Sequence, residues 1–510
     1  MDTRCKPTLG FAFDNSYARE LPGFYVSCQP QPAPEPRLLF LNQELAEELC
    51  LDLSAADSAA QAAIFSGNRL PEGADPIAQA YAGHQFGQFS PQLGDGRALL
   101  LGEVIDRQGK RRDIAYKGSG RTPYSRRGDG KAAVGPMLRE ALISEAMAAL
   151  GIPSTRTLAV VATGETVYRP QALPGALLTR VADSHIRVGT FELFASRGEV
   201  ERVQQLADYS IARHYPGLLE RKERYLEFLR AVTERQAALL AQWMAVGFIH
   251  GVMNTDNMSI AGETIDYGPC AFMEGYDPEA VFSSIDSHGR YAYQNQPHIA
   301  QWNLSRLAET LLPLLADDEQ QAIRLATEVI ETFPAIYRRD WLGAMRAKLG
   351  LKGRVENEDY LDAELAEDWL ALLRTNKTDF TLAFRRLADA AEGQSSPLEE
   401  LFPDRPALAA WLTRWQARCA AEDPVAGVEA SSAASRVRAA SMRGVNPWLI
   451  ARNHRVEEAL AAATDEGDIE PFEQLLQALR QPYAEHPNLT RYAEPAPAAF
   501  TSSYQTFCGT

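Results

Sequence analysis

The segment that decides the fold reads His250-Gly-Val-Met-Asn-Thr-Asp256-Asn257, and Ile265-Asp266-Tyr267-Gly268 follows it closely. Asn257 and Asp266 offer hard oxygen atoms, the donor type that Mg²⁺ or Mn²⁺ takes beside nucleotide phosphates. Apolar residues recur with a helical period on both sides of the segment, which predicts helices at 200–213, 218–246, 304–315 and 318–333. We therefore expect a metal-binding loop within a helical region.

The spacing of this loop resembles that of protein kinases except at one position. Kinases carry His-x-Asp-x-x-x-x-Asn and a later Asp-x-Gly. Counting from His250 places Asn257 where the metal-binding Asn belongs, but Val252 where the catalytic Asp belongs. A valine cannot accept the proton of an incoming hydroxyl, and general-base catalysis contributes roughly 10²–10⁴-fold. Asp256, the remaining carboxylate of the loop, is either the base or a residue that positions a metal-bound water.

The region before this loop reads as strands and turns around one helix. The predicted elements are a glycine turn at 93–97, strands at 98–105 and 113–117, a Gly- and Arg-rich loop at 118–135, a helix at 137–150 and strands at 157–163 and 176–181. Lys117 ends the first hairpin and would contact nucleotide phosphates, while Glu140 on the helix would hold Lys117 in place. His84 has no partner at zinc-site spacing, so we interpret it as structural.

Arginine is abundant in the same region of a chain that carries a net charge of −16. Arg forks bind phosphate bidentately, so a cluster of them would clamp the β- and γ-phosphates of a nucleotide. Six arginines are candidates for this cluster, and we expect at least two of the six to be ordinary surface charges. The candidates are Arg97, Arg121, Arg126, Arg127, Arg180 and Arg187.

Composition excludes several classes of protein. With 51 Lys and Arg against 67 Asp and Glu, a nucleic acid is not expected as a partner. The chain has no apolar run of the length that spans a bilayer, and its first twenty residues lack the apolar stretch of a secretory signal. We therefore expect a cytoplasmic monomer that does not bind membranes. The six Cys form no Cys-x-x-Cys pair, which favours reduced thiols, and Cys508 near the C-terminus is a possible redox residue.

The order of these parts predicts an α+β, protein-kinase-like bilobal fold with a strand-rich N-lobe and a helical C-lobe. The predicted units are an N-terminal arm at 1–80, the N-lobe at 81–190, the C-lobe at 191–350 and a C-terminal helical extension at 351–510. A stretch of small residues at 426–441 is either a surface linker or a tightly packed interhelical region.

Several longer motifs resemble the selenoprotein O family, the bacterial YdiU-type protein adenylyltransferases, over most of the chain. The matching stretches are Tyr-Ala-Gly-His-Gln-Phe-Gly at 81–87, Gln-Leu-Gly-Asp-Gly-Arg-Ala at 92–98, Lys-Gly-Ser-Gly-Arg-Thr-Pro-Tyr-Ser-Arg-Arg-Gly-Asp-Gly at 117–130, Ser-Glu-Ala-Met at 144–147, Ala-Leu-Gly-Ile-Pro at 149–153, His-Gly-Val-Met-Asn-Thr-Asp-Asn-Met at 250–258, Ile-Asp-Tyr-Gly-Pro at 265–269 and Gly-Val-Asn-Pro at 444–447.

This resemblance implies a kinase-like fold that binds ATP in a flipped orientation and transfers AMP to Ser, Thr or Tyr hydroxyls of proteins, with release of pyrophosphate and use of Mg²⁺ or Mn²⁺. Asp256 would be the proton acceptor, and Asn257 and Asp266 the metal ligands. The residues implied in ATP binding are Gly94, Gly96, Arg97, Lys117, Asp129, Gly130, Arg180, Arg187 and Asp266. The flip would make the Arg cluster a clamp for the leaving pyrophosphate.

The chain departs from the family at its cysteines. Some bacterial members pair a C-terminal Cys with a Cys shortly after the Asp-Tyr-Gly segment, but residues 281–285 contain none here. A redox disulfide of Cys508 would need Cys270 as a substitute partner.

Two other functions stay open. A small-molecule phosphotransferase fits the His-Gly opening of the loop but lacks the Asp at Val252. A nucleotide-binding scaffold without catalysis is the second alternative, and the pair of metal ligands counts against it.

Overall fold

One antiparallel sheet organises the N-terminal part of the molecule. The computed structural model describes residues 10–53, 56–353, 359–423 and 428–507. Its strands are β1 (Tyr25–Ser27), β2 (Arg37–Leu41), β3 (Ile77–Gln79), β4 (Gly83–Gln85), β5 (Gln88–Ser90), β6 (Ala98–Ile105), β7 (Arg111–Lys117), β8 (Ala132–Ala133), β9 (Arg156–Tyr168), β10 (Ala172–Ala182), β11 (Phe248–Ile249) and β12 (Ala271–Phe272). The main sheet has the order β1-β3-β6-β7-β10-β9-β2, with β8 added beside β10.

The centre of this sheet places Lys117 at a strand end. β6 has the predicted bounds, and it pairs with β7 so that Ala98 lies opposite Lys117, directly after the glycine turn. On its other side β7 pairs with β10, and Leu178 of β10 lies opposite Lys117. The edge strands β1 and β2, and strand β3 next to β1, come from the first 80 residues, so the segment that we expected to form an arm also builds the sheet.

Helix α4 packs across β9 and β10 and carries Glu140. Its apolar side is fully buried through Leu138, Leu142 and Met147, and this burial continues into the helices of the C-terminal part as one core. Apolar burial of this extent contributes roughly 1.5–3 kcal/mol per large side chain. The position of Glu140 beneath the sheet is therefore fixed by the packing of its own helix.

The helices predicted from the spacing of apolar residues are present, but some of them begin or end at other residues than predicted. Helix α7 begins at Arg224 and not at residue 218, because Pro216–Leu218 forms a separate 3₁₀ turn. The helices are α1 (Ser16–Glu20), α2 (Gln43–Glu48), α3 (Ser58–Phe65), α4 (Val134–Ala149), α5 (Val188–Ala195), α6 (Val200–His214), α7 (Arg224–Val246), α8 (Gln296–Leu315), α9 (Glu319–Ile330), α10 (Phe333–Leu349), α11 (Asp359–Asn376), α12 (Phe380–Ala391), α13 (Ser396–Glu399), α14 (Arg405–Glu422), α15 (Val428–Val445), α16 (Asn453–Ala461), α17 (Glu470–Leu479), α18 (Thr490–Ala493) and α19 (Ala498–Ser503).

A second core holds the C-terminal helices together around Trp369, Trp411 and Trp415. The described part of the small-residue stretch at 426–441 belongs to α15 and is not a linker. Helix α15 packs against α10 and α12 and buries Ala439 and Met442, but most described side chains of the stretch are exposed, so it is not a tightly packed region either. Within the described residues, no helix combines the length and the apolar character that a membrane span needs.

The cysteines correct one expectation. Cys28, Cys270 and Cys419 are free thiols, but Cys50 is disulfide-bonded, so the prediction of reduced thiols is wrong at that position. Cys508 lies outside the described residues.

Candidate active site

A large cleft of about 1380 Å³ lies between the strand-rich part and the loop at 250–268. Apart from Cys508, which lies outside the described residues, the residues predicted for nucleotide and metal binding line it, although they come from strands, helices and loops that are far apart in the chain. They are Gly94, Gly96, Arg97, Lys117, Asp129, Gly130, Glu140, Arg180, Arg187, Asp256, Asn257 and Asp266, together with Arg121, Arg126 and Arg127.

A network of ion pairs occupies the inner wall of the cleft. Lys117 Nζ lies 2.7 Å from Glu140 Oε2 and 2.9 Å from Asp266 Oδ1. Arg180, on β10, donates to the other Glu140 oxygen from both Nε and Nη2, at 2.9 and 2.5 Å, and to Asp266 Oδ1 at 2.6 Å. Glu140 thus holds two cations, and Asp266 shares both of them.

The charges of this network keep its carboxylates ionised. Burial alone would raise the pKa of Asp266, but the positive charges of Arg180, Lys117 and Arg187 outweigh burial and hold that pKa well below its usual value. Burial likewise opposes ionisation of Glu140, and Arg180 and Lys117 lower the Glu140 pKa in net. Asp266 has a backbone φ of +62°, a left-handed conformation that is uncommon outside glycine and frequent at functional sites.

Arg187 forms a second layer behind this network. It is buried, donates to the carbonyl of His185 at 2.9 Å and lies 3.6 Å from Asp266 Oδ2. Its guanidinium also stacks over the ring of Tyr81 at 4.6 Å from the centroid. The buried guanidinium is therefore fixed by several partners and adds to the positive potential on Asp266.

The glycine turn and the Gly- and Arg-rich loop form the rim. Gly94 has a φ of +91°, and a Cβ there would lie 2.5 Å from the Tyr124 ring. Gly130 has a φ of +68°, and its Cβ would lie 2.1 Å from the carbonyl oxygen of Gly120. Both positions require glycine, because a side chain would push the loop out of the cleft.

Asp129 is held by an arginine that the sequence reasoning missed. Arg169 Nη1 lies 2.8 Å from Asp129 Oδ2, and this hydrogen bond is the main reason that the Asp129 pKa is lowered. Arg169 follows β9 and carries no local motif. Its position in the loop between paired strands β9 and β10 could have suggested that it approaches the strand-rich wall.

The six arginines divide by exposure. Arg180 and Arg187 are buried, Arg97 is half-buried, and the other three are exposed at the rim. Arg121 donates to the Gly128 carbonyl at 3.0 Å, and Arg126 to the Gln92 carbonyl at 3.2 Å. Three of the six are thus exposed, but all six line the cleft, so the expectation that at least two are ordinary surface charges stays a prediction.

The loop at 250–258 brings Asp256 and Asn257 to the opposite wall. Val252 is buried, and its carbonyl accepts a hydrogen bond from Asn257 Nδ2 at 3.0 Å. Burial raises the pKa of Asp256 to about 6. His250 is buried as well, lies 2.9 Å from the Ile265 carbonyl through Nε2 and stacks on Trp243, so it holds the two motif segments together.

The chemistry of these donors fits a metal nucleotide. Asp266 is ionised, and the bond from Asn257 Nδ2 to Val252 leaves Asn257 Oδ1 as its acceptor atom. Two hard oxygen donors suit Mg²⁺ or Mn²⁺ when phosphates and water supply the other positions. No group of three or more His, Cys, Asp or Glu in the described residues could hold a metal alone.

The C-terminal segment returns to the cleft, which the sequence did not indicate. Thr506 pairs with Ser283, and its hydroxyl donates to the Pro269 carbonyl at 2.7 Å. Tyr504 accepts from Arg139 at 3.2 Å. Cys270 is buried, and burial raises the pKa of its thiol to about 11. Cys270 is a free thiol and forms no disulfide with Cys508 in this structure, and Cys508 itself is outside the described residues.

Comparison with known proteins agrees with this geometry. The family model described as Protein adenylyltransferase SelO matches residues 7–480. A protein nucleotidyltransferase YdiU of Cereibacter sphaeroides is 60% identical over 503 residues, covering 98% of this chain and 100% of the relative. Proteins of the same name from Chromobacterium violaceum and Rhizobium meliloti are 59% and 56% identical, over 96% and 98% of this chain and 100% and 99% of theirs. The chain therefore belongs to the SelO family of protein adenylyltransferases and is a nucleotidyltransferase.

Proposed function

We propose that this protein transfers AMP from ATP to Ser, Thr or Tyr hydroxyls of other proteins, with ATP bound in the flipped orientation of a kinase-like site. In this proposal residues 81–190 and 191–350 are the two lobes around the cleft, residues 1–80 are an N-terminal extension and residues 351–510 a C-terminal one. The observation that carries the proposal is the arrangement of charge. Lys117, Arg180 and Arg187 gather around Asp266, while Val252 stands where a kinase has its base.

The bond changes follow from that arrangement. The acceptor oxygen forms a bond to the α-phosphorus and gives its proton to Asp256. The bond from the α-phosphorus to the bridging oxygen breaks, and pyrophosphate leaves with the electron pair. Negative charge grows on the leaving group in the transition state, where preorganised cations stabilise it most effectively. The exposed guanidinium groups of Arg121 and Arg127 are available for that charge at the rim.

Asp256 has properties that suit a proton acceptor. Its pKa of about 6 lies closer to neutral pH than that of an exposed Asp, so it is ionised at pH 7 and still basic. Asn257 and Asp266 would hold the divalent metal, which supplies charge neutralisation of the phosphates when bound. Lys117 and Arg180 keep Asp266 ionised for that role.

The test uses ATP labelled on the α- or the γ-phosphate, with Mg²⁺ or Mn²⁺ and a protein acceptor. We expect label on protein from α-labelled ATP alone, lost in Asp256→Ala and in Asp266→Ala. Asp277→Ala is the matched control, because Asp277 is exposed and does not line the cleft.

Two outcomes contradict the proposal. Transfer of the γ-label would favour the phosphotransferase alternative. Thermal stabilisation by ATP without transfer of either label to any protein would favour the scaffold.

A further inference from the structure

A short hairpin covers the loop that carries Asp256. The hairpin is β4 and β5, with Gln85 and Gln88 as register partners next to its tip. Its sequence shows no catalytic motif, and the roles proposed above do not include it. Its contacts nevertheless fall on three consecutive residues of the loop.

These contacts match hairpin residues to loop residues one by one. The backbone N–H of His84 donates to Thr255 Oγ1 at 2.7 Å, and that of Phe86 donates to Asn254 Oδ1 at 3.0 Å. Between them, Gln85 Nε2 donates to Asp256 Oδ2 at 3.2 Å. The Asp256 carboxylate therefore accepts its hydrogen bond from a side chain of the hairpin, whereas the other two hydrogen bonds come from the hairpin backbone.

Close packing fixes the other side of the Asp256 carboxylate. Asp256 Oδ1 is buried and has no hydrogen-bond partner in the described part of the chain. A Cβ on Gly83 would lie 2.9 Å from this oxygen, and a Cβ on Gly189 would lie 3.4 Å from the Asp256 Cα. With Oδ1 packed against glycine and Oδ2 bonded to Gln85, the carboxylate has one defined orientation.

The base of the hairpin is itself anchored. His84 Nδ1 lies 2.5 Å from Glu192 Oε1, and the Thr255 hydroxyl donates to the second oxygen of Glu192. Glu192 is buried on α5, a helix of the core. His84 is therefore structural in the sense that it ties both the hairpin and the loop to one buried carboxylate.

We propose that Gln85 is a positioning residue for AMP transfer: its carboxamide holds the Asp256 carboxylate in the orientation that receives the acceptor proton. This inference rests on the proposed function. Gln85 lines the cleft but acts through Asp256, so its loss affects the transfer step more than nucleotide binding. Loss of a hydrogen bond to a charged group corresponds to a decrease in rate by a factor of about 10–100.

The test compares Gln85→Met, which keeps the length and removes the donor, with Gln88→Met on the exposed side of the same hairpin. We expect Gln85→Met to lower kcat for AMP transfer by about 10–100-fold, with KM for ATP changed less than about twofold. Gln88→Met retains the wild-type kcat. Gln85→Glu lowers kcat at least as much, because a second carboxylate replaces the donor.

A steric variant tests the orientation without removing a polar group. Gly83→Ala adds a methyl group that meets Asp256 Oδ1, and the backbone at Gly83 does not have a left-handed φ. We expect a loss of kcat similar to that of Gln85→Met.

The outcomes separate this inference from the proposed function. Wild-type protein that transfers no AMP refutes the proposed function. Transfer by wild type with equal kcat in Gln85→Met and Gln88→Met refutes the inference alone. A double-mutant cycle of Gln85→Met and Asp256→Ala, measured by urea unfolding, tests the contact without an AMP-transfer assay. Additive changes in the urea midpoint would show that the two side chains are not coupled.

Discussion

Glu140 stabilises the fold more than Lys117 does, and Glu140→Gln tests this. Glu140 is buried, and it pairs with Lys117 through one oxygen and with Arg180 through the other. Glutamine keeps the shape of the side chain but leaves the Arg180 guanidinium, 4% exposed, with Asp266 as its remaining carboxylate partner. Removing one member of a buried ion pair costs about 3–5 kcal/mol.

Lys117→Met gives the contrast. Lys117 is 13% exposed, and its removal leaves the pairs of Arg180 with Glu140 and Asp266 intact. The expected cost is about 1.5 kcal/mol, the lower end of the range for a hydrogen bond to a charged group, because Lys117 is the more exposed partner. At about 2.1 cal/mol/K of unfolding entropy per residue, 510 residues give about 1.1 kcal/mol/K. The melting temperature should therefore fall by about 3–5 °C in Glu140→Gln and by about 1 °C in Lys117→Met.

The assay is calorimetric unfolding without nucleotide, and the Lys131–Glu165 pair supplies the control. Lys131 and Glu165 form a more exposed pair at 2.9 Å in the same part of the molecule. Glu165→Gln should change stability by less than about 1 kcal/mol, as for surface pairs. A larger loss in Lys117→Met than in Glu140→Gln would refute the reasoning, because Glu140 would then serve Lys117 alone.

Two further predictions concern a buried lysine and a loop glycine. Burial lowers the pKa of Lys348 to about 7, with its Nζ over the Phe384 ring at 4.1 Å. The unfolded chain keeps this proton up to a higher pH, so the stability of the wild type should rise between pH 7 and about 10. Lys348→Met should remove that rise and add up to about 4–5 kcal/mol of stability at pH 7, as measured by urea unfolding at pH 7 and 9. The same pH dependence of stability in Lys348→Met and in the wild type would contradict this prediction. Gly130→Ala should weaken ATP binding about tenfold or more in a thermal-shift titration, because its Cβ would meet the Gly120 carbonyl. The control Gly109→Ala has an equally left-handed φ but open space around it, so it should lose only about 1 kcal/mol of stability. Equal ATP affinity in both variants would contradict the steric argument.

Local pattern predicted the elements that carry the charge network. The hairpin that ends at Lys117 and the helix that carries Glu140 follow from turn residues and periodicity, which are properties of adjacent residues. The spacing of the loop also singled out Val252 and Asp256. What the sequence could not give was the second partner of Glu140, because Arg180 looks like any strand arginine until β10 is paired beside β7.

Contacts between distant segments account for what was missed. The bond between Gln85 and Asp256 joins residues 171 positions apart, and Thr506 reaches Pro269 across 237 positions. The first 80 residues read as an arm because Pro30, Pro32, Pro34 and Pro36 give an extended stretch before a short helix, and no strand is indicated there. Their membership of the sheet depends on pairing with β6 and β9, which local propensity does not encode.

The charge balance of the inner wall links metal binding to nucleotide binding under the proposed function. Asp266 already shares Lys117 and Arg180 with Glu140, so a divalent cation at Asp266 must compete with two fixed positive charges at less than 3 Å. The phosphates of ATP change that competition, because they offer Lys117 an anionic partner in place of Asp266. When the phosphates of ATP draw Lys117 away, Asp266 would be free to hold the divalent metal, whereas a metal without nucleotide would add positive charge to a wall that is already cationic. The same cations that keep Asp266 ionised therefore favour the metal–nucleotide complex over the free metal ion.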